Sequence, residues 1–190
     1  MTSANAKPNK RVDVAVAAQP DASSEQLQYL TFMLDKEKFA IGILAIKEII
    51  EYNDLTVVPM MPESVRGVLN LRGSVVPVID LAVRFGRKPT VVTNRTCIVI
   101  AEVQTEGERQ DIGVMVDAVN QVLDIPASEI APPPTFGAKI RTDFIQGMGK
   151  VNGKFVILLD VAQVLSILEI GMLTDARSTT RLSTASDQPS

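Results

Sequence analysis

The chain has 190 residues, 46% hydrophobic and 22% charged, with 19 basic against 22 acidic side chains and a sequence pI near 5.1. This balance lacks the cationic footprint that neutralises phosphates and argues against nucleic acid as a partner. The absence of histidine removes imidazole catalysis, HExxH zinc sites and phosphohistidine transfer, and a lone cysteine, Cys97, cannot close an internal disulfide.

In chain order, residues 1–26 carry no hydrophobic period and no apolar signal segment, and they read as a disordered tail. YLTFMLD from Tyr29 opens a run of short strands, followed by IGILAIKEII at 41–50, a connector holding Pro59 and Pro62, and then GVLNLRGSVVPVID from Gly67. The same order returns. TCIVIAEV from Thr96 stands for the opening strand, IGVMVDAVNQVL at 112–123 for the second run, Pro126 and Pro132 to Pro134 for the connector, and GMGKVNGKFVILLD from Gly147 for the closing hairpin. In that last pair Gly67, Gly73, Val78 and Asp80 each have a partner 80 positions on, at Gly147, Gly153, Leu158 and Asp160. In the middle pair the alignment matches Gly42 with Gly113 and places two extra residues after the second glycine.

Each copy thus predicts about five short strands and a small barrel, the first at about 27–90 and the second at about 91–160, within a single domain at 27–173. Asp80 and Asp160 precede apolar helical periods and read as N-caps; the second helix is expected over 161–170, with Val161, Val164, Leu165 and Leu168 on its buried face. Residues 174–190 read as a second disordered tail, and Cys97 as a small apolar residue in a buried strand. The apolar stretch 155–173 is interrupted by Asp160, Gln163, Ser166 and Glu169, too often for a membrane span, so a soluble cytoplasmic protein is expected.

Glu37, Glu48, Glu51, Asp54 and Asp117 supply carboxylates for hydrolytic chemistry, but at turns and strand ends solvated acids are ordinary, and a binding module is the class that remains. Two tandem barrels leave a groove between them. Arg72 stands in the first hairpin turn where the second has Asn152, and type I′ geometry would place it in the left-handed region. It has two readings: a surface arginine in a permissive type I turn, or a fork of five donors at the groove mouth, aimed at a partner. Glu48 is the other isolated charge in an apolar run, with a solvated edge-strand face as its plain reading.

From FxLxxExFAIxILxIKEI at residues 32–49, VRGVLNLRGSVVPVIDL from Val65, IGVMVDAVNQVL, and FIQGMGKVNGKFVILLD from Phe144, the chain resembles the CheW-like domain family of bacterial chemotaxis adaptors, also found at the C-terminus of the histidine kinase CheA. In length it resembles the stand-alone adaptor. The resemblance implies an all-β fold with short helices, two intertwined SH3-like five-stranded barrels and a C-terminal helix. It implies a non-enzyme without cofactor or metal, coupling the cytoplasmic hairpin tip of chemoreceptors to the regulatory CheW-like domain of CheA, at the inner face of the membrane in receptor arrays. The family's receptor-coupling positions fall on Ile46, Glu48, Gly67 and Arg72, with Val119 and Val122 beside them. Kinase-facing residues are not assigned. A generic SH3-like interaction module serving another sensory kinase is the alternative.

Overall fold

The computed structural model describes residues 26–105, 107–135 and 140–166. Among these residues eleven strands form two sheets. The first copy supplies β1 (Gln26–Leu34), β2 (Glu37–Gly42), β3 (Ile46–Glu51), β4 (Val65–Leu71) and β5 (Ser74–Asp80), then the one-turn helix α1 (Leu81–Arg84). The second supplies β6 (Cys97–Thr105), β7 (Glu108–Val116), β8 (Ala118–Pro126), the two-residue β9 (Ile130–Ala131), β10 (Ile145–Val151) and β11 (Lys154–Leu159), then α2 (Val161–Val164).

The sheets do not follow the repeat. One runs β8-β1-β2-β11-β10-β9, the other β3-β6-β7-β5-β4, so each joins the opening hairpin of one copy to the later strands of the other. The exchange occurs where the chain leaves β2 through a 3-10 turn at Ile43–Ala45, and where it leaves β7 at Asp117. Two parallel pairings weld the exchanged hairpins in place: Leu158 opposite Ala40 and Val78 opposite Gly113. This is the intertwining that the family resemblance implies.

Register corrects the alignment of the middle segment. Ala40, not Gly42, is the counterpart of Gly113, because each sits opposite the equivalent residue of a closing hairpin. The extra residues belong to the longer β6–β7 hairpin, which pairs out to Thr105 opposite Glu108, and none is inserted between Gly113 and Ala118. A one-residue slip turns every side chain to the opposite face, so strand pairing outweighs a coincidental Ile-Gly match.

Among the described residues the two-residue turns Asp35-Lys36, Arg72-Gly73 and Asn152-Gly153 hold positive φ at both central positions, as type I′ hairpins require. Asp80 and Asp160 cap α1 and α2 through side-chain bonds to the first-turn amides. Helix α2 ends at Val164, with Leu165 and Ser166 outside the helix, so the expected helix is one turn long within the described residues; positions 167–170 lie outside them. Val164 and Leu165 are buried and Val161 half-buried, on the face that the sequence predicts.

The main core lies between the sheets and takes residues from both: Leu30, Phe32 and Phe39 from one, Val99, Ile112 and Val114 from the other, with Leu81 and Val164 from the helices. Phe32, Phe39, Phe85 and Phe144 form a row with centroids 5.6–6.1 Å apart, flanked by the guanidinium groups of Arg87, Arg84 and Arg141. Each sheet has its own inner cluster, around Ile98, Ile100 and Met115 in one and around Ile125, Val156 and Leu158 in the other. Cys97 is half-buried at the first position of β6, less enclosed than expected, because it precedes the fully covered stretch Ile98 to Ala101.

Candidate functional site

β3 and β4 are the two edges of one sheet, and the side chains that approach across that seam are the two isolated charges of the sequence. A bulge at Ile46–Glu48 sets Glu48 opposite Ile100 and Ile50 opposite Ile98, which aligns Glu48 with the residues that fill the inside of this sheet. Arg72, in the β4–β5 turn, donates from Nη1 to Glu48 Oε1 at 2.8 Å and from Nη2 to Oε2 at 2.9 Å. The pair is an end-on fork, and with Ile50, Leu69 and Leu71 packed on the same inner cluster it draws the edge strands together.

Arg72 takes φ +50°, so the type I reading of its turn does not apply, and a Cβ-bearing residue there carries roughly 1–2 kcal/mol of left-handed strain. Its side chain is 77% exposed against 25% for Glu48. A pair so exposed contributes about 0.2–1 kcal/mol, less than the strain it accompanies. Stability therefore does not account for an arginine at this turn. The fork has five donors, and the two spent on Glu48 leave Nε–H and the outer hydrogen of each Nη pointing away from the chain's own partner.

On its other face β3 is held by Lys47, whose Nζ lies 2.7 Å from Asp111 of β7 and 3.0 Å from Glu102 of β6. Hydrogen bonds to Asp111 and then Glu102 raise its pKa above the usual 10.5. The strand presenting Ile46 and Glu48 is thus pinned on both sides.

Gly67 lies at the bulge of β4, where Thr56 exchanges two 2.9 Å backbone bonds with Val68. A Cβ on Gly67 would stand 2.6 Å from the Thr56 carbonyl oxygen, so the glycine admits the connector to the edge of the sheet. Gly147 does the same in the other half: β9 pairs Ala131 with Met148, and a Cβ would meet the Ala131 oxygen at 2.9 Å and Ile130 at 2.7 Å. The repeat pairs these two glycines, and that signal was sufficient to find Gly147. Gly67 shapes the site through the connector.

Ile46 and Val119 occupy equivalent bulges, opposite Ala101 and Phe32, and both pack on the central core. Val122 lies on β8 opposite Leu30 and is 45% exposed, as its counterpart Ile49 is at 41%. The six residues therefore divide: Ile46, Glu48, Gly67 and Arg72 lie in one sheet, and Val119 and Val122 on an edge strand of the other. The second half has Gln121 and Asn152 at the places of Glu48 and Arg72, so the charged fork belongs to the first half alone.

None of the six lines the cleft of about 680 Å3 that opens at the end of the other sheet, between the start of β1, the Ile43–Ala45 turn and α2. Of the other candidate carboxylates, Glu37 meets Arg87 and Asp117 accepts the Asp35 amide, each away from the Arg72 seam. Asp80, fully buried, was legible only as a cap. It also accepts from the amide and hydroxyl of Thr90 at 2.9 and 3.0 Å and from Arg66 at 3.4 Å, tying β4, β5, α1 and the following segment together. Among the described residues no cluster of acidic or cysteine side chains is arranged to hold a metal ion, and no helix is long and apolar enough to cross a membrane.

The CheW-like domain family matches residues 28–169. The chemotaxis protein CheW of Klebsiella aerogenes is 33% identical over 146 residues, 77% of this chain and 86% of that one. CheW of Treponema pallidum is 27% identical over 88% of this chain and 95% of its own length. The crystal structure of the scaffolding protein TtCheW from Thermoanaerobacter tengcongensis superposes with a TM-score of 0.65 at 33% identity, covering 72% of this chain and 90% of that one.

Proposed function

The chain belongs to the CheW-like domain family, and on that premise we propose that it is a non-catalytic adaptor of chemotaxis signalling that couples the cytoplasmic hairpin tips of chemoreceptors to the CheW-like regulatory domain of the kinase CheA. The observation that carries the reading furthest is Arg72. A strained, mostly exposed arginine, held in one orientation by Glu48 with three donors left over, is oriented for an external acceptor. A receptor tip offers an amphipathic helix. Its apolar face packs against Ile46, Val119 and Val122, while Arg72 donates to a carboxylate or to terminal helix carbonyls and sets the register. Glu48 acts by aiming Arg72, and Gly67 by admitting the connector that borders β4.

The kinase domain, sharing this fold, meets the barrel ends rather than the Arg72 seam. The protein reaches the inner face of the membrane through receptors. Each contact is modest, and linking receptor and kinase through one adaptor multiplies them by effective concentration.

The test is a titration of isotope-labelled protein with a receptor cytoplasmic hairpin fragment and then with the CheA regulatory domain, following amide shifts. Receptor shifts clustered on Ile46, Glu48, Gly67 and Arg72, with kinase shifts elsewhere, are expected. Silence at those residues with both ligands refutes the coupling reading and leaves an interaction module of another sensory pathway.

A further inference from the structure

Beside Arg72 stands another polar residue of the same hairpin, Asn70, two positions before it on β4. A two-residue hairpin closes its ladder on the flanking pair, here Leu71 opposite Ser74, so the amides of the central residues have no partner in the ladder. In this turn the Gly73 amide donates to Asn70 Oδ1 at 2.9 Å. Asn70 is exposed, opposite Val75, while its neighbours Leu69 and Leu71 pack on the inner cluster of the sheet. Its side chain is spent on the turn and not on the core.

The Asn152-Gly153 and Asp35-Lys36 turns show what such a bond does. Asn152 takes φ +49° without help, since asparagine visits the left-handed region readily, and Lys150, a donor only, stands at the place of Asn70. Lys36 is as ill suited to its φ of +68° as Arg72 is to +50°, and there too a side-chain oxygen holds a turn amide: Asp35 N–H donates to Asp117 Oδ2 at 2.8 Å. A side-chain acceptor thus accompanies the turns that force a long basic residue into the left-handed region. Without the bond to Gly73, Arg72 is free to relax to negative φ, which swings its guanidinium away from the 2.8 and 2.9 Å fork on Glu48. We propose that Asn70 is a positioning residue for receptor recognition: by holding the Gly73 amide it keeps Arg72 in the conformation from which the guanidinium forks Glu48 and presents its remaining donors outward. The proposal rests on the receptor reading of Arg72, and it adds a residue that acts through Arg72 without touching the receptor.

The test is a double-mutant cycle on the full chain, with Asn70→Ala and Arg72→Asn made singly and together. Each protein is titrated with a receptor cytoplasmic hairpin fragment, and the Arg72 Nε–Hε resonance, identified by its loss in Arg72→Asn, is followed in the free native chain and in Asn70→Ala. Asn70→Ala is expected to weaken binding about two- to tenfold in the native background, the span of one neutral hydrogen bond acting on the competent fraction, and by less than about twofold beside Arg72→Asn. The Arg72 resonance is expected to move toward that of free arginine. Equal losses in both backgrounds overturn the proposal, because Asn70 then acts without Arg72, and so does unchanged binding in the native background. An Arg72 resonance that Asn70→Ala leaves in place overturns the positioning whatever the receptor does. A native chain that does not bind the fragment refutes the receptor reading instead, and the resonance alone then decides whether Asn70 holds Arg72.

Discussion

Replacing Arg72 by Asn separates what the turn needs from what the charge does. Asn enters the left-handed region readily, so the substitution releases roughly 1–2 kcal/mol of backbone strain. It also removes an exposed fork to Glu48, a loss of about 0.2–1 kcal/mol. The difference is a variant between equal stability and about 1–2 kcal/mol more stable, a rise in Tm of no more than roughly 2–8 °C for a domain of this size. Urea unfolding at constant m-value measures the first part. A receptor-fragment titration on the same preparation measures the second, where binding is expected to weaken at least tenfold, the loss of one charge-assisted contact or more. A variant destabilised by more than about 1 kcal/mol shows that the fork holds the seam closed, and the strain argument fails. A more stable variant with unchanged receptor affinity refutes the recognition role.

Gly67→Ala and Gly147→Ala are each expected to cost about 1–3 kcal/mol in urea unfolding, since both force a Cβ against a backbone carbonyl, but only Gly67→Ala is expected to weaken receptor binding; equal binding losses would contradict the division between the halves. Asp80→Ala strips a buried carboxylate from donors that include Arg66 and is expected to cost about 3–5 kcal/mol, against about 1 kcal/mol for the cap lost in Asp160→Ala; equal costs would show that Asp80 is no hub. Lys47 has a raised pKa, so its stabilising contribution is complete below pH 10.5 and is lost as pH rises through the folded-state value. Lys47→Gln is therefore expected to flatten the alkaline end of the stability profile, and an unchanged profile would show that the pair with Asp111 is idle.

Local backbone chemistry was legible along the chain. The Asn152-Gly153 turn, the aspartate caps and the strand alternation each depend on a few neighbouring residues, and the structure has them where the sequence predicts them. The repeat of GVLNLRGSVVPVID also carried the equivalence of β4–β5 and β10–β11, because no gap falls within either copy. In the β2 and β7 segments the same method misaligned by two residues: a hairpin lengthens at its tip without changing its apolar alternation, so only the partner strand sets the register.

The sequence by itself determined the elements, their turns and the internal duplication, together with the family to which they belong. Tertiary structure alone decided that β1–β2 completes the sheet of the second copy and β6–β7 that of the first, since both hairpins present the same pattern and either sheet can bury it. It alone joined Glu48 to Arg72, 24 residues apart, because a side chain's partner across a seam depends on how the sheet curls and not on what lies beside it in the chain.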